Sequence, residues 1–244
     1  RSEMCIRDRV PGEEAAHAGA SVAVIAGDVL LTEAFRLAMT CTDDPRRTAP
    51  VAAVVLDAAT SSAAGELEDV VMGLSRHTGD EPDPEHILGM QRLKTAEYTV
   101  CAPLQAGALL AGAAPEVAAS LGEAGADLGV AYQVVDDVLG VFGRPEETGK
   151  SADSDLLDGK ATVLTAHGRR DRRVRELLDA RPTTPAELEA ARRALDAAGA
   201  REHALDVAAR LSESARARIA ALPLSEAARA GFADACRDVL TRRS

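Results

Sequence analysis

Tryptophan is absent from this chain of 244 residues, and aromatics make up only 2% of it. Alternation of β-branched with polar residues is sparse, which excludes a sheet as the organising element. There is no excess of positive charge: the formal net charge is −11. Nucleic-acid-binding proteins usually need a basic patch, so that class is excluded. The arginine-rich run 169–175 is interrupted by Asp171 and followed by Glu176, and reads as a solvated helix face. The four cysteines, Cys5, Cys41, Cys101 and Cys236, are scattered and form no CxxC pair. That excludes a zinc site or a disulfide framework and fits a reducing cytoplasm. No apolar run reaches membrane-spanning length, since the longest, 18–40, contains Asp28 and Glu33.

What the chain has is alanine, within a hydrophobic fraction of 46%. Ala and Leu with Glu and Arg favour helix, and the length suffices for a well-buried core. The pattern predicts helices over 18–40 and 51–77, with a loop at 41–50. A third starts at Pro84 behind Asp83 as N-cap and reaches about Tyr98, because Pro103 marks a new start. Further helices are predicted over 103–113 and 115–142, the second apolar nearly all round and therefore central. Residues 143–160 form the longest irregular segment, and helices resume at about Ala161. Thr184 to Glu187 has capping-box form, and residues 223–225 open the last helix. The fold class is all-α, antiparallel helices around a central one. The first nine residues begin without Met and lack a helical stripe, so residues 1–9 are expected to be a non-native or unstructured segment ahead of a domain over 10–244.

The chemistry concentrates at 132–162, YQVVDDVLGVFGRPEETGKSADSDLLDGKAT. Gln133, Asp136, Asp137 and Gly140 fall at i, i+3, i+4 and i+7, roughly one stripe of the central helix. Val134, Val135, Val138 and Leu139 face the core. An isolated pair of aspartates ordinarily belongs to a solvated face. Here the apolar surroundings make two carboxylates costly unless something positive sits on them. A hard divalent cation, which prefers oxygen ligands, meets that need. Lys150 and Lys160 each follow a glycine, which lets backbone approach a ligand, and lysine suits phosphate oxygens. The residues together point to a metal holding a phosphate-rich substrate.

Three stretches in order, AGDVLLTEAF at 26–35, KTAEYT…PL..GALLAGA at 94–113 and the 132–162 segment, resemble the trans-isoprenyl diphosphate synthases of the polyprenyl synthetase family. The resemblance runs from about Ala18 to the C-terminus. It implies a helical bundle of the isoprenoid synthase type and a Mg2+-dependent prenyltransferase. Such enzymes condense isopentenyl diphosphate with an allylic diphosphate, and metal ions and lysines stabilise charge on the departing diphosphate. Carried over by motif, Asp136 and Asp137 match the second aspartate-rich motif, with Asp136 as the direct ligand. Lys94, Thr95, Gln133, Lys150 and Lys160 match contacts to the allylic diphosphate. Tyr98 matches a tyrosine near the reacting centre, which gives Lys94, Tyr98 and Gln133 catalytic roles. Glu66 and Asp69 lie in GELED, which resembles the family's GQxxD. A cytoplasmic homodimer is also implied.

Two departures stand out. The second motif, usually DDxxD, carries Gly140 at its last position. Losing an outer carboxylate commonly costs about 10–100-fold in metal affinity or activity. The first DDxxD motif is absent from residues 1–17. A C-terminal fragment of a synthase, inactive alone, is therefore expected; the alternative is a non-catalytic partner subunit of an active synthase. A terpene cyclase fits less well, because the lysine pair and KTAEYT would then lack a purpose.

Overall fold

A computed structural model describes residues 12–75, 83–143 and 153–242. Among them every regular element is helical, in keeping with the Ala- and Leu-rich composition. The chain divides into two units, residues 1–53 and 54–244. The first contains α1 (Gly12–Met39) and the opening turns of α2 (Pro45–Ser75). The loop expected over 41–50 is shorter than the proline pattern suggested. Asp44 Oδ1 accepts from the Arg46 N–H at 3.1 Å, so α2 starts early and takes Pro50 into its second turn. Among the described residues no helix is long and apolar enough to cross a membrane.

The second unit contains the rest of α2, then α3 (Pro84–Gln91), a π-helical segment Arg92–Cys101 and α4 (Ala102–Leu110). The central helix α5 (Pro115–Phe142) follows, with the bounds its sequence predicts. Beyond it come the short α6 (Ser154–Leu157), α7 (Val163–Gly168), α8 (Arg172–Asp179), α9 (Pro185–Ala197), α10 (Ala200–Ala220) and α11 (Glu226–Thr241). The starts are chemically marked. Thr162 and Thr184 form capping boxes with Thr165 and Glu187, and Ser225 accepts from the Ala228 N–H. α10 and the π-helical segment pack along α5. One core cluster joins Ile87 and Met90 to Val134, Val138, Val141, Leu164 and Leu195.

Pro103 does not separate two helices. Residues 84–110 run on as one helical stretch, and the Ala102 N–H bonds to Glu97 O across a five-residue turn. In that wider turn the backbone reaches the proline without the tight i−4 contact that breaks an α-helix. α5 accommodates the bulge by lacking side chains beneath it. A Cβ on Gly129 would stand 2.6 Å from Ala96 Cβ and 2.7 Å from Ala96 Cα. The start of the segment is locked by charge: Arg92 reaches Glu97 at 3.1 Å and Glu123 of α5 at 2.7 Å.

At the far end of α5 a single guanidinium fixes the chain on both sides of residues 144–152. Arg192 of α9 donates to Val141 O and to Asp153 Oδ1, each at 2.7 Å.

Candidate active site

The site grows from a buried carboxylate. Asp137 has 2% of its surface exposed, yet both its oxygens are bonded. Oδ2 accepts from Gln91 Nε2 at 2.6 Å. Oδ1 accepts from Gln133 Nε2 and from Lys160 Nζ, each at 2.9 Å. Gln133 and Asp137 are one helical turn apart on α5, so their side chains meet. Gln133 Oε1 in turn accepts from Thr95 Oγ1 at 3.1 Å. Lys160 arrives by a tight turn: Gly159 adopts a left-handed φ of 61°, and the Lys160 N–H returns to Asp155 O at 3.0 Å. Its ammonium lies 3.9 Å from the Asp155 carboxylate.

Beside Thr95, Lys94 Nζ pairs with Asp69 at 2.5 Å and Glu66 at 3.1 Å. GELED is therefore the brace of Lys94. Its glycine is needed there, because a Cβ on Gly65 would fall 2.2 Å from the Lys94 backbone nitrogen. The divergent Glu66 still reaches the lysine, so the departure at this position keeps a carboxylate on Lys94.

Burial pushes the Asp137 carboxyl up to about 6, against the pull of Lys160 and Gln133. Burial works against the Lys160 ammonium, but Asp137 and Asp155 outweigh it and hold its pKa above the ordinary value. Lys94 is also held above the ordinary value, burial being overcome by Asp69 and Glu66. At neutral pH the site thus presents two ammonium groups, each already leaning on carboxylates.

The aspartate pair is parted by the helix. Asp137 points into the protein, and its oxygens are taken. Asp136 faces outward, and its Oδ1 accepts from Arg242 Nη1 at 3.2 Å. The same guanidinium stacks over the Tyr132 ring, 4.3 Å from its centre. Among the described residues no group of three His, Cys, Asp or Glu side chains is arranged to hold a metal.

Of the residues singled out in the sequence, Thr95, Gln133, Asp137 and Lys160 are joined into one network, and Lys94 is held apart from it by Asp69 and Glu66. Asp136 stands at its edge, and Tyr98, on the π-helical segment, is exposed. Lys150 lies outside the described residues. Two participants carried no sequence signal: Gln91, a single amide in α3, and Arg242, 106 residues from its partner; Asp155 lies within the 132–162 segment but is not singled out there.

The sequence profile of polyprenyl synthetases matches residues 9–195. The chain belongs to the polyprenyl synthetase family. Its similarity to named members of the family is moderate and spread over products of different length. It is 31% identical to the geranylfarnesyl diphosphate synthase of Natronomonas pharaonis over 206 residues, 84% of this chain and 59% of that protein. It is 37% identical to the (2E,6E)-farnesyl diphosphate synthase of Mycobacterium tuberculosis over 158 residues, 62% of this chain and 41% of that one. The chain thus spans about half the length of the curated relatives it matches. Among solved structures, the geranylgeranyl pyrophosphate synthase of Corynebacterium glutamicum, complexed with isoprenyl diphosphate and magnesium, superposes with a TM-score of 0.87 at 30% identity. The match covers 99% of this chain and 68% of that one.

Proposed function

We propose that this polyprenyl synthetase chain carries the allylic-diphosphate side of a Mg2+-dependent prenyl transfer, the condensation of an allylic diphosphate with isopentenyl diphosphate. The observation that carries the reading is the hydrogen-bonded network from Thr95 through Gln133 and Asp137 to Lys160, with Lys94 next to Thr95 in the chain and braced separately by Asp69 and Glu66. Two ammonium groups are held by neighbouring elements on carboxylates that orient them without cancelling their hydrogen-bond capacity, since lysine has three donors. A diphosphate offers more and more highly charged acceptors than the single carboxylates Glu66, Asp69 and Asp155.

In that reaction the allylic C–O bond breaks and its electron pair leaves on the diphosphate. The alkene of isopentenyl diphosphate then forms the new C–C bond, and a proton is lost. Lys94 and Lys160 stabilise the charge that develops on the departing oxygens. Thr95 and Gln133 hold the two lysines in register, and Asp137 anchors Lys160 from below. Asp136 is the carboxylate that grips magnesium, which when bound supplies charge neutralisation to the diphosphate. Lys150 adds a further ammonium. The Tyr98 phenol, exposed on the π-helical segment that also carries Lys94 and Thr95, would assist the proton step. The reading carries a cytoplasmic homodimer with it, and the exposed Val22, Ile25 and Leu30 of α1 are the side chains a second copy would cover.

The test is calorimetric titration of the chain with geranyl diphosphate, with magnesium and with chelator. Binding is expected only with magnesium. A hydrogen bond to a charged group contributes about 1.5–3 kcal/mol, so Lys94→Ala or Lys160→Ala should weaken binding by roughly 10- to 150-fold. Affinity unchanged in both variants refutes the assignment.

A further inference from the structure

The π-helical segment Arg92–Cys101 brings together side chains that an α-helix keeps apart. Arg92 Nε donates to Glu97 Oε1 at 3.1 Å. In an α-helix, residues five apart point about 140° away from each other and do not meet. In a π-helix the backbone repeat is i to i+5, and such residues stand one above the other. The pair is therefore a contact that only the wide turn permits. The other end of the same guanidinium is fixed from outside the segment. Its Nη1 and Nη2 donate to Glu123 of α5 at 3.2 and 2.7 Å, a two-bonded fork that sets direction as well as distance. Lys94 and Thr95 sit inside this turn. Lys94 reaches Asp69 and Glu66 of α2 at 2.5 and 3.1 Å, and Thr95 reaches Gln133 of α5 at 3.1 Å. Tightening the turn by one residue would rotate one side of the segment by about 100°, and both side chains would leave those partners.

We infer that Arg92 is a positioning residue: by tying Glu97 across the wide turn and Glu123 on α5, it holds the register in which Lys94 presents its ammonium to the diphosphate. Neither Arg92 nor Glu123 belongs to the stretches that carry the family resemblance. The guanidinium is taken up by two carboxylates and does not touch the ligand; it acts through Lys94. The positioning role rests on the proposed function, as that reading assigns Lys94 to the diphosphate.

The test is a double-mutant cycle of Arg92→Ala with Lys94→Ala, read by calorimetric titration with inorganic diphosphate in magnesium. Arg92→Ala should weaken binding about tenfold, the low end of what removing an outer partner costs. In the Lys94→Ala background the same change should weaken binding less than about twofold, because the group it aims is gone. Equal losses in the two backgrounds, or no loss in the first, overturn the inference. Glu97→Ala leaves Arg92 on Glu123 and should repeat the pattern at about threefold, the scale of a partly exposed pair. It carries the cycle if circular dichroism shows that Arg92→Ala does not fold. A second readout needs no ligand. In Arg92→Ala, Lys94 leaves the two carboxylates that favour its charged, unreactive form, so limiting acetic anhydride should label it at least about threefold faster relative to Lys160. A labelling ratio equal to the parent's overturns the inference. If the parent chain itself does not bind magnesium diphosphate, the proposed function falls, and the labelling ratio alone judges the hold of Arg92 on Lys94.

Discussion

Adding one methyl group at Gly129 should loosen the protein and its site together. The added Cβ would meet Ala96 Cβ at 2.6 Å and Ala96 Cα at 2.7 Å. Carbon atoms rest about 3.5–4.0 Å apart, so the π-helical segment must withdraw by about 1 Å. Backbone cannot swing aside as a side-chain tip can. Overpacking of this kind costs about 1–3 kcal/mol, and the rigid contact argues for the upper end. Against it stands the helix propensity of alanine, better than glycine by about 0.8–1.0 kcal/mol. The net loss is about 2 kcal/mol, or about 4–8 °C in melting midpoint for a folded unit of this size. Gly89 supplies the control. It is a helical, exposed glycine whose added Cβ would meet nothing within 4 Å. Gly89→Ala should therefore gain up to about 1 kcal/mol from propensity alone, raising the midpoint by about 2–4 °C. The same chemical change is expected to have opposite signs at the two positions. Withdrawal of the segment also draws Thr95 from Gln133, now 3.1 Å apart, so Gly129→Ala should weaken magnesium-dependent diphosphate binding. Thermal melts of the two variants check the argument. A Gly129→Ala midpoint at or above the parent's would refute the close packing of the π-helical segment on α5.

Three further outcomes are expected. In the proposed reading Arg242 competes with a cation for Asp136 Oδ1, so Arg242→Ala should tighten Mn2+ binding in the presence of diphosphate by about 2–5-fold, the scale of a partly exposed pair; weaker binding by paramagnetic titration would sink the competition. The Arg92 guanidinium holds Glu123 below the usual carboxylate range. With the folded value below the unfolded one, this contribution to stability is present above the ordinary glutamate pKa and is lost as pH falls through the folded value. Glu123→Gln should accordingly flatten the acid limb of a stability–pH curve, and an unchanged limb counts against the pair. Burial, aided by Glu97, pushes the Cys101 thiol up to about 12, whereas Cys41 is exposed. At pH 8 iodoacetamide should label Cys41 and spare Cys101 in the folded protein, as peptide mapping would show.

The sequence discloses most where the physics is local. The bounds of α5 follow from a proline at its start, an apolar circumference and a glycine at its end. The boxes at Thr184 and the cap at Ser225 are single-turn chemistry, and both are in place. Asp137, Gln133 and Lys160 could be grouped because one helical turn and one loop connect them. The proline at 103 misleads, because the rule against it assumes the i−4 turn, and the π-helical segment does not use that turn. The parting of Asp136 from Asp137 was legible only in part: adjacent residues on a helix diverge by about 100°, but which one faces inward depends on Gln91, far upstream in the chain. Arg242 and Gln91 join the site by tertiary approach alone. No periodicity or motif marks a side chain that becomes a partner only after the chain has closed on itself.

The clamp formed by Arg192 has an implication for how the chain can vary. One guanidinium holds Val141 O and Asp153 Oδ1, so the distance between the two edges of residues 144–152 is set by α9 and not by what lies between them. The entropy of closing a connection over a fixed span grows slowly, by about 0.6 kcal/mol for each doubling of its length. Insertions or deletions between residues 143 and 153 should therefore be inexpensive for the fold, and Lys160 would keep its alignment with Asp137 through them. The frame that aims Lys160 is thereby tied to α9 and α5, and length variation at this edge leaves it in place.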